Sequence, residues 1–294
     1  MAAIDTRQLD AVQAISVLRE RVTSTRNADG GWGYHAGKTS RLEPTCWSLL
    51  ALGDVSSDAL RQWPSTGGLL LERREGEPNF GFHGLALLTL LDRRIEHQAG
   101  NAALVAGIQR VKGIAITNRG TARQNSQIQA WPWIDHTFSW VEPTAYCLLA
   151  LKQVERSGKS VDASRIADAE AMMFDRCGVQ GGWNYGNSNM LGQELASYVP
   201  TTALGLLALQ DRSSHDAVRR SLDYLEREAL SERSSLALSL AMIALRVFKR
   251  PVDAISAALV QQIPTTLTLG NLHAAALALY ALRTDHADAA LVLQ

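Results

Sequence analysis

Two phrases decide the fold: Asn27-Ala28-Asp29-Gly30-Gly31-Trp32-Gly33-Tyr34, and after it Glu43-Pro44-Thr45-Cys46-Trp47-Ser48-Leu49-Leu50-Ala51-Leu52. The first phrase returns as Gln180-Gly181-Gly182-Trp183-Asn184-Tyr185, and Trp131-Pro132-Trp133-Ile134-Asp135 has a similar aromatic, turn-forming character. The second phrase returns as Glu142-Pro143-Thr144-Ala145-Tyr146-Cys147-Leu148-Leu149-Ala150-Leu151. With proline aligned on proline, it returns again as Val199-Pro200-Thr201-Thr202-Ala203-Leu204 and onward to Leu209. Proline suits a helix start, where its missing N–H would have no partner anyway. The Leu/Ala-rich remainder forms helix readily and is apolar nearly all round, the mark of a helix buried on every side.

Residues 84–91, 236–245 and 273–282 share the ending without the proline. Six buried helices result, with last leucines near Leu52, Leu91, Leu151, Leu209, Leu245 and Leu282, and the two longest intervals hold the extra Trp-rich loops. Between them lie more charged, amphipathic segments near residues 5–22, 57–62, 101–112, 162–175, 214–228 and 252–262. In the first of these, Leu9, Val12, Ile15 and Leu18 recur at helical spacing. Period-two alternation and Asn-Gly turns are missing, so strands are not expected. Six buried and six half-exposed helices in alternation predict an all-α, single (α/α)6 toroid occupying residues 1–294 as one domain. In such a ring the inner helices run in one direction, so their N-terminal ends gather at one mouth.

Composition narrows the function. The 294 residues carry 29 Lys+Arg against 29 Asp+Glu, for a formal net charge of zero. That balance argues against a nucleic-acid partner, whose binding rests on phosphate neutralisation. No apolar run approaches a membrane span, and no secretory signal pattern opens the chain. The expectation is a cytoplasmic protein without an integral membrane segment. Cys46, Cys147 and Cys177 are too scattered for a disulfide scaffold or a zinc knuckle. Phosphate loops, nucleophile elbows and His-Glu-x-x-His are absent from the sequence.

The paired phrases resemble the prenyltransferase/squalene-oxidase repeat of squalene–hopene cyclases, other class II terpenoid cyclases and protein prenyltransferase β subunits. The resemblance implies the toroid, and most resembles a single squalene–hopene-cyclase-type barrel. It also implies a small, isoprenoid-like hydrophobic ligand in an aromatic cavity, cyclised or transferred there. The sequence departs from that family in its acids. The Asp-x-Asp-Asp and Asp-Asp-x-x-Asp motifs do not occur. Of the zinc ligands of the prenyltransferase β subunits only His273 has a counterpart, so no metal and no cofactor is assigned.

Glu43, His83, Glu142, Tyr198 and His273 stand at predicted helix starts around the mouth. Two acids and two imidazoles there suit either a divalent cation or acid–base work. The plainer reading gives the glutamates to the helix dipole and the histidines to core hydrogen bonds. The run Trp131-Pro132-Trp133-Ile134-Asp135-His136-Thr137-Phe138-Ser139-Trp140 sets an Asp–His pair among aromatic rings. An acid tuned as proton donor beside rings that stabilise cations is what terpene chemistry requires. Asp135, His136, Glu142 and Glu43 are therefore the candidate catalytic residues. Trp131, Trp133, Trp140, Tyr34, Tyr185, Tyr198, Phe82, His83 and His273 are the candidate substrate contacts. The plainer reading of the Trp-rich run is a capping loop with its own small core. Two other functions remain open: a carbohydrate-active α/α barrel with paired carboxylates, and a non-catalytic binding or scaffold protein. Oligomeric state is not indicated.

Overall fold

The computed structural model describes residues 9–53, 58–72, 76–92, 101–116, 124–283 and 290–293. Among them are twelve α-helices and two short antiparallel hairpins, Ser65–Thr66 with Leu69–Leu70 and Asn189–Met190 with Gln193–Glu194. Residues 5–8 and 57 of the expected outer helices lie outside the described residues.

The buried helices are α2 (Leu42–Leu52), α4 (His83–Leu91), α6 (Val141–Arg156), α8 (Val199–Ala208), α10 (Ser235–Val247) and α12 (Leu272–Leu282). Every residue of α2 and α12 is buried, as their all-round apolar sequences require. These helices pack in sequence order: α2 on α4, α4 on α6, α6 on α8, α8 on α10, α10 on α12, and α12 back onto α2. The remaining helices are α1 (Ala11–Ser24), α3 (Asp58–Arg61), α5 (Asn101–Arg110), α7 (Ala163–Asp175), α9 (Asp216–Glu228) and α11 (Asp253–Leu269). Each covers an inner helix: α3 packs on α2, α5 on α4, α7 on α6, α9 on α8, α11 on α10, and α1 on α12. One hydrophobic core takes in residues from all twelve.

Helix α11 runs past the expected end at residue 262, through Pro264, which removes a backbone donor from the helix. Thr266 beyond it is buried, and its hydroxyl donates to Ser235 Oγ on α10 at 2.8 Å. Tertiary packing thus outweighs the proline.

The Trp loops hold inner and outer helices together by one repeated device. Trp32, Trp131 and Trp183 are fully buried, and each indole N–H donates to a carbonyl at or just before the C-terminal end of an outer helix. The acceptors are Val22 (2.7 Å), Ile108 (2.9 Å) and Met173 (2.6 Å). Their backbone N–H groups donate to Thr45, Thr144 and Thr202 in the first turn of the inner helix that follows. The spacing is 13 residues in the first two copies and 19 in the third, whose loop carries the Asn189–Glu194 hairpin.

This geometry corrects the proline alignment. Thr202, not Thr201, matches Thr45, so Pro200 stands where Glu43 and Glu142 stand. It also reveals a fourth copy without tryptophan. Leu70 N–H donates to His83 Nε2 at 2.8 Å, again across 13 residues, so His83 takes the threonine's place.

Candidate functional site

A cavity of about 300 Å3 opens where the inner helices begin. Its wall is built by residue pairs one helical turn apart: Glu43 and Trp47 on α2, Glu142 and Tyr146 on α6, Pro200 and Leu204 on α8. Leu236 and Leu240 on α10 and His273 and Leu277 on α12 continue the pattern, and Phe82, the N-cap of α4, completes the circuit. Side chains four apart share one helix face, so α2, α6, α8, α10 and α12 each present their first two turns to the same space.

Two further lining residues come from the loops. Trp133 and Tyr185 each stand two positions after a bracing tryptophan, as does Tyr34. All three lie over the start of the preceding inner helix. Tyr34 carbonyl accepts from Leu272 N–H of α12, and Tyr185 carbonyl accepts from Val141 N–H of α6, at 2.8 and 2.9 Å. Trp133 covers Gly81 so closely that a Cβ there would stand 2.1 Å from its ring. Trp133 also meets Phe82 edge-on, with centroids 5.2 Å apart.

Two carboxyl groups face this space in unlike surroundings. Glu43 is buried and accepts from Tyr34 Oη at 2.5 Å, while His273 Nε2 stands 3.5 Å from its other oxygen. Glu142 has no hydrogen-bond partner among the described residues. Its carboxyl touches the cavity but is otherwise enclosed by protein, and that desolvation, with the negative charge of Glu43, pushes its pKa up to about 8. Tyr34 and Tyr146 are held protonated, first by burial and then by the neighbouring glutamates. Helix N-termini favour carboxylates, yet with no donor at its carboxyl among the described residues, burial governs Glu142.

Of the expected site residues, Glu43, Glu142, Phe82, Trp133, Tyr185 and His273 meet at the cavity, and Tyr34 joins them through Glu43. Asp135 and His136 do not. Their side chains are 63% and 90% exposed, His136 has φ 58°, and the two pair with each other 3.6 Å apart. The left-handed turn carries them outward to a loop tip.

Trp131 and His83 are also corrected as substrate contacts. Trp131 is a brace, with the guanidinium of Arg165 4.2 Å from its ring centre. His83 is buried, and its Nε2 is taken by Leu70; burial lowers its pKa to about 4. Trp140 stacks on Phe138, and half-exposed Tyr198 leans on Tyr185; neither lines the cavity. Among the described residues no three His, Cys, Asp or Glu side chains group to hold a metal ion. Cys46 and Cys147 are buried, and desolvation pushes the Cys147 thiol up to about 12.

Trp47, Tyr146, Pro200, Thr201, Leu204, Leu236, Leu240 and Leu277 were not anticipated. Trp47, Tyr146 and Leu277 lie one turn beyond Glu43, Glu142 and His273, and for these three that spacing was the available signal.

A larger, more polar groove of about 460 Å3 lies between the end of α7 and the Asn189–Glu194 hairpin. Its acids are engaged, Asp175 by Asn125 N–H and Glu194 by Val179 N–H, and it holds none of the expected site residues. No helix among the described residues is long and apolar enough to cross a membrane. No family model matches the chain, and no curated protein matches it.

Proposed function

We propose that the chain is a single (α/α)6 toroid of the terpenoid cyclase and prenyltransferase kind, whose central cavity binds an isoprenoid or similar elongated hydrophobic molecule. The circuit of contacts from α2 round to α12, each inner helix covered by an outer one, supports the architecture. The cavity's volume stands near the lower end of the roughly 300–1,000 Å3 typical of small-molecule pockets, and its wall is mainly aromatic and aliphatic.

One observation carries the chemistry: the Glu142 carboxyl faces the aromatic wall of the cavity without a hydrogen-bond partner among the described residues, and this desolvation, with the charge of Glu43, pushes its pKa up to about 8. Such an acid is a proton donor. Its O–H proton adds to an alkene carbon, the π pair becomes the new C–H bond, and a carbocation forms at the adjoining carbon. A second alkene then supplies its π pair to close a carbon–carbon ring bond. Loss of a proton to water gives a neutral product, and solvent returns a proton to Glu142. Trp47, Phe82, Trp133, Tyr146 and Tyr185 surround the positive charge with ring quadrupoles. Glu43, anchored by Tyr34 and facing His273, keeps the proton on Glu142 by its negative charge.

Incubation with farnesyl, geranylgeranyl and squalene substrates tests this reading. Cyclic product from the wild type, lost in Glu142→Gln and kept in Asp135→Asn, is expected. No product and no binding would overturn it. A carbohydrate-active barrel is the second reading, favoured by two carboxyl groups in unlike surroundings at one cavity; oligosaccharide hydrolysis in place of cyclisation would select it.

A further inference from the structure

The cavity's charges are all of one kind apart from His273. Glu43 and Glu142 face it, neither lysine nor arginine lines it, and five of its lining residues are aromatic. Arg41, next to Glu43 in the chain, turns to Glu72 instead, with its Nε 3.1 Å from that carboxylate. His273 is already matched to Glu43. The helix N-termini that would favour an anion carry a glutamate of their own on α2 and α6. A phosphate group would meet these carboxyl groups with no basic side chain to offset them. An organic cation would meet aromatic rings and carboxylates together, the combination that recognises quaternary ammonium groups.

We propose that the cavity selects a hydrophobic cation, an alkyl- or arylammonium whose positive nitrogen lies between the aromatic rings and the carboxyl groups of Glu43 and Glu142. The proposal rests on the reading of this cavity as a hydrophobic ligand site and concerns an occupant that displaces the Glu142 proton to solvent, whereas an alkene would receive it.

Proton release accompanies the binding. In the empty cavity Glu142 holds its proton for want of a countercharge; the bound cation supplies one, and the proton leaves to solvent. Affinity therefore rises with pH up to about 8 and then levels. The other titratable groups facing Glu142 are Glu43 from α2, Tyr146 on α6 itself, His273 from α12, and Tyr185 with Tyr198 behind it. The lining residues of α8 and α10 do not titrate. Both Tyr146 and Tyr185 are shifted upward, away from this range.

Isothermal titration with benzyltrimethylammonium and its uncharged carbon isostere neopentylbenzene tests the proposal, since a quaternary nitrogen does not itself titrate. The cation is expected to bind about tenfold or more tighter than the isostere at pH 8. It should also bind about tenfold tighter at pH 8 than at pH 6. That pH dependence should vanish in Glu142→Gln and persist in His273→Gln. Equal affinity for the two ligands overturns the cation selectivity and leaves the hydrophobic-site reading standing. Binding of neither overturns both. A pH dependence that survives in Glu142→Gln and disappears in His273→Gln overturns the assignment to Glu142.

Discussion

Tyr34 Oη lies 2.5 Å from Glu43 Oε2 and donates a hydrogen bond to it, while the Tyr34 carbonyl accepts from Leu272 N–H at the start of α12. One residue thus fixes a carboxylate on α2 and the end of the helix beside it. Tyr34→Phe removes only the hydroxyl. Hydrogen bonds to charged groups contribute about 1.5–3 kcal/mol, and partial exposure reduces that here. A loss of about 1–2 kcal/mol in urea unfolding is expected. No loss would mean that the contact does not hold Glu43.

Asp135→Asn and His136→Ala alter a solvent-exposed pair at a loop tip. Such pairs contribute about 0–1 kcal/mol. Unfolding midpoints and ligand affinity should both stay near wild type. A large loss of binding in Asp135→Asn would show that the loop folds over the cavity when ligand is present.

His83 is neutral in the fold, its pKa lowered from 6.5 to about 4 by burial. The unfolded chain takes up its proton first as pH falls. Stability should therefore decline between pH 6.5 and about 4, by about 2–3 kcal/mol. His83→Gln should be less stable at neutral pH and lack this share of the acid-side decline. Urea midpoints measured across that range decide it; a wild-type profile equal to that of the variant would show that His83 is not the group responsible.

Trp183→Phe removes the indole N–H that reaches Met173 carbonyl at 2.6 Å and leaves part of a fully buried site empty. Lost hydrogen bonding and the small cavity together should cost about 2–3 kcal/mol. A midpoint within error of wild type would show that the brace does not hold α7.

Much of this architecture was legible because burial on every side leaves a plain mark: Leu-Leu-Ala-Leu endings that no half-exposed helix needs. The repeat in the loops was legible through Trp32 and Trp183, and Trp131 proved to be its equivalent. What composition does not carry is register. Pro200 looked like Pro44, but the hydroxyl that receives Trp183 N–H belongs to Thr202, which moves the alignment by one residue. His83 looked like a mouth imidazole, yet it stands in for a threonine. Asp135 and His136 drew notice by their aromatic neighbours in sequence, and a single left-handed residue turned them outward. Glu142 and Glu43 were found because their helix starts were found. Their unlike surroundings depend on which one Tyr34 reaches, a contact between loop and helix that the sequence does not spell out.

Everything proposed for the cavity turns on the proton of Glu142, whose carboxyl faces a mainly apolar wall. A carbon-13 carboxyl titration of Glu142, assigned with Glu142→Gln, measures it directly. The midpoint should lie at about 8 in the wild type and move down in Glu43→Gln, where the neighbouring negative charge is gone. A midpoint near the ordinary 4.5 would contradict the account.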